Sequence, residues 1–222
     1  MKKGTMQFLL NSFIHTLPTQ NNLKLWNKTY SDKCKLCNNR DSTLHCLNGC
    51  KFMLEQGRYT WRHDNIIKYI TDNIDTQKYK VYSDIEGCQS ENGGTLPAHL
   101  TVTALKPDIV ICDSESVNIY ELTVPFESNI SGRHTYKMNK YAHFLSDISV
   151  LTPSLEAFEI GARGTITPDN RKRLSSLHKY INKSISFKTF THTISKIAIT
   201  SSYYIYIHRK DPSWVSPGLF TH

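Results

Sequence analysis

The sequence predicts a mixed α/β domain that is preceded by a small metal-binding knuckle. Two runs rich in β-branched and apolar residues, LKPDIVICD and VNIYELTV, are separated by a short turn of small and acidic residues and predict a β-hairpin. Apolar side chains recur with helical spacing on both sides of this hairpin. Four of the six cysteines lie between residues 34 and 50. With 222 residues, of which 39% are hydrophobic, the chain can form one ordinary core and a small additional module.

The elements before the hairpin are a helix, a second helix and a strand. Residues 7–15 (QFLLNSFIH) predict a short amphipathic helix, and TLPTQNN ends it. Apolar positions over residues 51–74 predict the first helix of the main domain, with an interruption allowed at Gly57. The segment KYKVYSD predicts a strand, and a polar loop through Gly93-Gly94 leads to the hairpin.

The elements after the hairpin are predicted in the order helix, strand, helix and strand. The first helix runs from His134 to about Leu145, and ISVLTPSLEAFEIG forms a strand around a proline. PDNRKRLSSLHKYI opens with an Asp/Asn start signal and continues as a helix. SKIAITSSYYIYIHRKDPSW suits either a helix or a strand, and its β-branched and aromatic residues favour a strand.

These elements divide the chain into three parts. Residues 1–52 form a helical linker with the knuckle, residues 53–190 form the main domain, and residues 191–222 pack on that domain or form a tail. The 27 Lys and Arg residues outnumber the 19 Asp and Glu residues, which gives a net charge of +8 and favours phosphate backbones or anionic membrane surfaces as partners. No apolar run approaches the roughly 18 residues that span a bilayer, and the first residues do not resemble a secretory signal. We expect an intracellular protein without membrane contact.

The clustered cysteines predict a zinc site. The spacing Cys34-x2-Cys37-x7-His45-x4-Cys50 supplies three thiolates and one imidazole within a short loop, which suits one tetrahedral zinc ion. Cys46 is then a spare cysteine. Four protein ligands leave no open position for water, so this zinc is structural. The alternative is a group of reduced thiols beside a chance histidine.

The hairpin predicts a second metal site. If its turn is centred on Ser114 and Glu115, Asp108 on the first strand faces Glu121 on the second, with Cβ atoms about 5 Å apart. Two carboxylates at that distance can bind one hard cation such as Mg²⁺. A slip of one residue would place the two on opposite faces. For an isolated pair of acids, the alternative is an ordinary edge with surface charges.

Two further segments supply candidate residues for this site. Lys137, Lys140 and Tyr141 share one face of the helix after the hairpin, where a lysine can stabilise charge on a phosphate. Arg62-His63-Asp64, on or near the first helix of the main domain, adds a cation, an imidazole and a third carboxylate. The basic run Arg171-Lys172-Arg173 is interpreted as a solvated helix face, and Glu159 has no assigned role.

In their order and spacing these motifs resemble the restriction-like endonuclease region at the C-terminal end of site-specific non-long-terminal-repeat (LINE-type) retrotransposon polyproteins. That family belongs to the PD-(D/E)xK nuclease superfamily. The matching residues are Cys34, Cys37, His45 and Cys50; Arg62, His63 and Asp64; Pro107 and Asp108; Glu121 after a gap of twelve; and Lys137 or Lys140. The phrases GRYTWRHD, KPDIVI, ELTVPFE and EIGARG extend the resemblance over residues 17–164. Thr123 stands where the wider superfamily has lysine, and the resembling family takes its lysine from the following helix.

The resemblance implies a fold and an activity. The fold is a restriction-endonuclease-like mixed sheet flanked by helices, and the activity is DNA phosphodiester hydrolysis that leaves a 3′ hydroxyl. It implies that Asp108 and Glu121 hold Mg²⁺ or Mn²⁺ and that Lys137, with Lys140 in reserve, assists, while His63 and Asp64 complete the catalytic group. Nucleic-acid contacts are assigned to the following residues: Arg62, Arg133, His134 and Lys140.

The resemblance also implies a setting. The chain is part of a larger polyprotein, its partners are DNA and RNA of the parent element, and it acts in the nucleus. Two alternatives stay open: a zinc-containing module that binds nucleic acid without cutting it, and a repair nuclease of the Holliday-junction-resolvase type.

Overall fold

The computed structural model describes residues 1–91, 97, 106–141 and 152–220. The helices in these ranges are α1 (Lys3–Phe13), α2 (Gln20–Leu25), α3 (Lys51–Glu55), α4 (Arg58–Asp72), α5 (Ile130–Tyr141), α6 (Pro168–Leu177) and α7 (Phe187–Ile207). The strands are β1 (Lys80–Tyr82), β2 (Ile109–Cys112), β3 (Ser116–Thr123) and β4 (Thr152–Glu159). A π-helical turn covers His45–Gly49, and 3-10 turns cover Glu127–Asn129 and His178–Tyr180. The predicted mixed α/β class is confirmed.

The described strands form one mixed sheet in the order β1-β2-β3-β4. The β1/β2 and β2/β3 pairs are antiparallel, and the β3/β4 pair is parallel. In the hairpin Val110 pairs with Ile119 and Cys112 pairs with Val117, as predicted. The Asp113 N–H donates to the Ser116 carbonyl at 3.1 Å, which closes the turn. The register of the hairpin is therefore the one that brings the two predicted carboxylates together.

The two faces of the sheet differ in what covers them. Odd-numbered residues of β2 lie in a large core with residues of α4, α6 and α7. Its even-numbered residues lie in a smaller core with Tyr141 of α5. Because side chains alternate along a strand, Asp108 falls on the α5 face. Glu121 falls there too, since Val117 and Ile119 on the same strand belong to the smaller core.

A glycine separates the two helices that follow the knuckle. Gly57 has a φ of +70°, a left-handed conformation that glycine adopts without steric cost, and it ends α3 and precedes the first residue of α4. The interruption allowed at this position is confirmed. Helix α4 then packs along α7, which places its His63-Asp64 segment near the start of β2.

The strand predicted for the C-terminal segment is wrong. Residues 195–207 of this segment lie in α7, which the Ser186 side chain caps by accepting the Thr189 N–H at 3.1 Å. The buried residues of α7 recur at helical spacing: Phe190, Thr191, Ile194, Ile197, Ala198, Ile199, Ser201, Ser202, Ile205 and Tyr206. Burial against α4 and α1 outweighs the weak β propensity of the side chains.

Smaller differences concern the ends of elements. Helix α6 is capped by Thr167, which accepts the Asn170 N–H at 3.3 Å, rather than by the Asp/Asn pair that follows. The predicted boundary at residue 190 falls inside α7. The predicted Gly93-Gly94 loop, the helix end at residues 142–145 and the start of the ISVLTPSL strand lie outside the described residues. None of the described helices is long and apolar enough to cross a membrane.

Candidate active site and metal centre

Three cysteines and one histidine of the predicted knuckle come together. Their ligand atoms, the Sγ atoms of Cys34, Cys37 and Cys50 and a ring nitrogen of His45, all lie within 4.8 Å of one another. Cys37 Sγ and His45 Nε2 are 3.3 Å apart. The residues are therefore positioned to bind a metal ion, and the predicted grouping is confirmed.

A tight turn forms the first half of this group. The Asn38 N–H donates to the Cys34 carbonyl at 2.9 Å, and the Cys34 N–H donates to the Asn39 carbonyl at 2.7 Å. Asn38 has a φ of +60°, which asparagine tolerates better than most residues. The Leu36 N–H lies 3.4 Å from Cys34 Sγ. The turn thus brings the second cysteine of the pair back beside the first.

The second half of the group is held by a tyrosine from α4. The π-helical turn His45–Gly49 carries the histidine, and Cys50 follows it directly. The Tyr59 hydroxyl accepts the Cys50 N–H at 3.2 Å and lies 3.2 Å from the carbonyls of His45 and Cys46. Tyr59 therefore fixes the knuckle to the first long helix of the main domain.

Two thiols of the knuckle, those of Cys34 and Cys50, are buried, and that of Cys37 is partly buried. Burial raises the pKa of Cys34, and it raises the pKa of Cys50 to about 12. Such thiols stay protonated near neutral pH unless a cation stabilises the thiolate, which a bound metal ion does. The spare Cys46 is excluded from the group because its thiol donates to Asp41 Oδ1 at 2.9 Å.

The predicted carboxylate pair forms a second group at the open end of the hairpin. The Asp108 N–H donates to Glu121 Oε1 at 3.1 Å, and the Leu122 N–H donates to Asp108 Oδ2 at 2.8 Å. The Glu121 side chain is completely buried, whereas the Asp108 side chain is 17% exposed. The pair is thus fixed by the backbone and reachable from solvent on one side.

The structure distinguishes between the two candidate lysines. Lys137 Nζ lies 2.5 Å from Glu121 Oε2 and 3.3 Å from Asp108 Oδ2, so its ammonium group bridges the carboxylates. Lys140 is exposed, and its Nζ lies 3.3 Å from the Tyr141 hydroxyl. The preferred lysine, Lys137, is therefore the one that meets the pair.

A histidine from α4 completes this group. His63 Nε2 lies 3.2 Å from Asp108 Oδ2, and His63 Nδ1 lies 2.9 Å from Asp64 Oδ1. The imidazole therefore connects two carboxylates that come from different elements. Asp64 contacts the His63 ring and is connected to Asp108 through it.

Opposing effects set the charges in this group. Burial alone would raise the pKa of Asp108, but the positive charges of His63 and Lys137 and the Leu122 N–H outweigh it and lower that pKa. Burial and the Asp108 charge raise the pKa of Glu121 to about 7, although Lys137 opposes them. Burial would lower the pKa of His63, yet the charges of Asp108 and Asp64 raise it to about 9. Two cationic side chains thus balance the carboxylates.

Arg62 does not lie at the surface, as a nucleic-acid contact requires. It is 1% exposed, and its guanidinium donates to three segments, namely to the Leu47 carbonyl at 2.9 Å, to Ser202 Oγ at 3.0 Å and to the Val124 carbonyl at 3.0 Å. Burial lowers its pKa to about 10, so the group stays charged at neutral pH. The contact predicted for Arg62 is corrected to a structural role.

The other predicted contacts are on α5. Arg133 and Lys140 are exposed on this helix, and His134 is partly buried between them. His134 Nδ1 lies 3.1 Å from Glu159 Oε1. The Glu159 contact was not predicted, because a carboxylate near the end of a strand gives no signal of its partner in a single sequence.

No protein-family model matches the chain, and no curated protein sequence matches it either. The functional assignment therefore rests on the geometry of the two groups and on the resemblance of the motifs.

Proposed function

We propose that the protein is a metal-dependent DNA endonuclease with a restriction-endonuclease-like fold. The observation that carries this proposal is the convergence of Asp108 and Glu121 on one positive charge, the Lys137 ammonium group. A buried pair of carboxylates is costly unless cations neutralise it. The Lys137 ammonium group and the His63 imidazole lie beside the pair and can supply this positive charge.

The carboxylates suit a divalent cation. Carboxylate oxygens are the ligands that Mg²⁺ and Mn²⁺ prefer, and Asp108 Oδ1 has no hydrogen-bond partner among the described residues. Asp108 and Glu121 would hold the ion, which supplies polarisation of the phosphodiester and a more acidic water when bound. Glu121 lies on β3 and Asp108 directly precedes β2, and backbone N–H groups hold both side chains, so little reorganisation of the backbone is needed.

The remaining side chains have separate roles. Lys137 stabilises negative charge that develops on the phosphate, because its ammonium group is already held beside the carboxylates. His63 is a positioning residue, since it holds Asp108 through Nε2 while Asp64 holds its Nδ1. The reaction is hydrolysis of one phosphodiester bond that leaves a 3′ hydroxyl.

The proposal extends to the knuckle and to the setting of the protein. The Cys-Cys-His-Cys group takes one structural zinc ion, because four protein ligands close a tetrahedral site. The net charge of +8 favours a phosphate backbone as the partner. The resemblance of the motifs adds DNA as the main partner and RNA of a parent element as a second one. The order of motifs supports origin from a LINE-type retrotransposon polyprotein that acts in the nucleus.

The test is nicking of supercoiled plasmid by the zinc-loaded chain. Mg²⁺ or Mn²⁺ is added or omitted, because a chelator would also strip zinc from the knuckle. We expect nicking that needs the added ion and is abolished by Asp108→Asn. Asp113→Asn is the matched control, since it changes the same charge in the turn of the same hairpin. Lys137→Ala should slow nicking roughly 100-fold, and Lys140→Ala less than about tenfold.

Three results would contradict parts of the proposal. If Asp108→Asn still nicked plasmid, Asp108 would not belong to the catalytic site. Tight DNA binding without nicking of plasmid would identify a non-cleaving binding module. Cleavage restricted to four-way junctions would instead favour a resolvase.

A further inference from the structure

A second charged cluster joins strand β4 to helices α5 and α6. Glu159, the last residue of β4, is 1% exposed. Its Oε1 lies 3.1 Å from His134 Nδ1 on α5, and its Oε2 lies 3.6 Å from Arg173 Nη1 on α6. Asn170 Oδ1 accepts both the Glu159 N–H at 3.0 Å and Arg173 Nη1 at 3.1 Å. One buried carboxylate therefore gathers two basic side chains from two helices.

This cluster lies beside the proposed catalytic group. Thr123 pairs with Glu159 across β3 and β4 and follows Glu121 by two residues, so these side chains share one face of the sheet. Helix α5 covers that face. Its Lys137 reaches Glu121, and His134, which is three residues earlier on the same side of the helix, reaches Glu159.

The cluster is not saturated by protein contacts. Glu159 Oε2 and Thr123 Oγ1 are buried and have no hydrogen-bond partner among the described residues. Among the described residues Glu159 Oε2 meets Arg173 through a 3.6 Å ion pair rather than a close hydrogen bond, so the guanidinium is oriented by the carboxylate without being locked to it. The side chains of His134 and Arg173 remain 27% and 29% exposed. His134 Nε2 has no hydrogen-bond partner in the described ranges, so this ring atom is available to a ligand.

We propose that His134 and Arg173 bind a phosphate of the DNA backbone next to the phosphate that is cut, and that Glu159 positions both. This inference rests on the proposed endonuclease function, because it needs DNA across the α5 face. Arginine and histidine donors suit a phosphate oxygen, and a buried carboxylate beneath them fixes their orientation before binding. Since Glu159 is buried, its own carboxylate does not reach the surface at which the phosphate would bind.

The test is DNA binding by the zinc-loaded chain without Mg²⁺, at several salt concentrations. Arg173→Gln should weaken binding about fivefold to tenfold and lower the slope of log affinity against log salt by about 1. Lys172→Gln is the matched control, since it removes the same charge from an exposed neighbour on α6. Equal binding and equal slopes for the two variants would overturn the subsite.

Two further substitutions, Glu159→Gln and Arg173→Lys, separate positioning from a general charge effect. Glu159→Gln keeps the shape but loses the anchoring charge, so it should weaken binding although it makes the protein less acidic. Combined with Arg173→Gln it should add little, because the two act as one unit. Tighter binding by Glu159→Gln would contradict the positioning role. Arg173→Lys should have a salt slope between those of Arg173→Gln and the wild type, because lysine keeps the positive charge. If Arg173 were purely structural, none of these substitutions would change the salt slope.

Binding and nicking are recorded separately, so the two proposals fail in different ways. A wild-type chain that binds DNA without nicking it contradicts the endonuclease, and the subsite is still decided by the salt slopes. A wild-type chain that nicks DNA, with Arg173→Gln indistinguishable from Lys172→Gln, overturns the subsite alone. A wild-type chain that binds no DNA overturns both.

Discussion

Single residues decide how the carboxylate pair is charged. Asp108 Oδ2 receives the Leu122 N–H and lies within 3.3 Å of both His63 Nε2 and Lys137 Nζ. Glu121 is completely buried and faces a neighbouring negative charge. The carboxyl group of Asp108 therefore ionises more readily than usual, and the carboxyl group of Glu121 ionises less readily than usual. Strongly shifted pKa values of this kind cluster at functional sites.

The charge of His63 should stabilise the protein in a defined pH range. Asp108 and Asp64 raise the pKa of His63 from 6.5 to about 9 in the folded protein. A raised pKa gives stability that is full below pH 6.5 and is lost as the pH rises through 9. We expect the wild type to melt at least about 3 °C above His63→Gln near pH 6, and this difference to shrink near pH 9.5.

The melting curves are recorded with zinc bound and without Mg²⁺. Comparison with the variant removes most contributions of other groups, including Glu121, whose raised pKa also makes stability fall with rising pH, over the lower range from 4.5 to about 7. A melting difference that does not change with pH would show that His63 carries no charge in the folded protein.

At the scale of elements, the knuckle should depend on its four ligands and tolerate loss of the spare cysteine. Cys34→Ala removes a ligand, whereas Cys46→Ala removes a buried thiol that donates to Asp41. We expect about one zinc ion per chain in the wild type and in Cys46→Ala, and almost none in Cys34→Ala. Amide exchange over residues 31–50 should accelerate only in Cys34→Ala. Equal zinc content in the two variants would contradict the ligand assignment.

Short-range signals made the hairpin and the knuckle predictable. Two apolar runs on either side of a compact turn predict a hairpin, and a turn at Ser114 and Glu115 sets the register that brings Asp108 to Glu121. Likewise, cysteines two residues apart must lie close together. Helix α7 was not predictable in this way, because its isoleucines and tyrosines suit strands equally well. Its helical form depends on burial against α4 and α1.

Long-range partners were the unpredictable part of the site. Arg62 belongs to a motif that resembles a functional one, yet its guanidinium meets carbonyls of residues 47 and 124. Glu159 meets side chains from two helices that are distant in the chain. The contacts of Arg62 and Glu159 depend on how distant elements pack, so they cannot be predicted from the residue pattern of a single sequence.

At the scale of the whole molecule, Arg62 joins the knuckle, the segment after β3 and α7. Replacing it by methionine leaves the carbonyls of Leu47 and Val124 and the Ser202 hydroxyl without this donor. We expect Arg62→Met to lower the free energy of unfolding by about 2–4 kcal/mol, because buried acceptors lose charged donors. Urea unfolding measures this change.

Arg133→Met is the control for that variant, because Arg133 is exposed on α5. It should leave stability within about 0.5 kcal/mol of the wild type and weaken DNA binding. If Arg62→Met weakened DNA binding while leaving stability unchanged, Arg62 would be a nucleic-acid contact after all.

The claim on which the proposed function depends is that Asp108 and Glu121 hold a divalent cation. The most direct measurement is titration of the zinc-loaded chain with Mn²⁺, followed by electron paramagnetic resonance, which needs no knowledge of the DNA target. We expect saturable Mn²⁺ binding by the wild type and by Asp113→Asn, and its loss in Asp108→Asn. Mn²⁺ binding that is unchanged by Asp108→Asn, or absent from the wild type, would contradict the account.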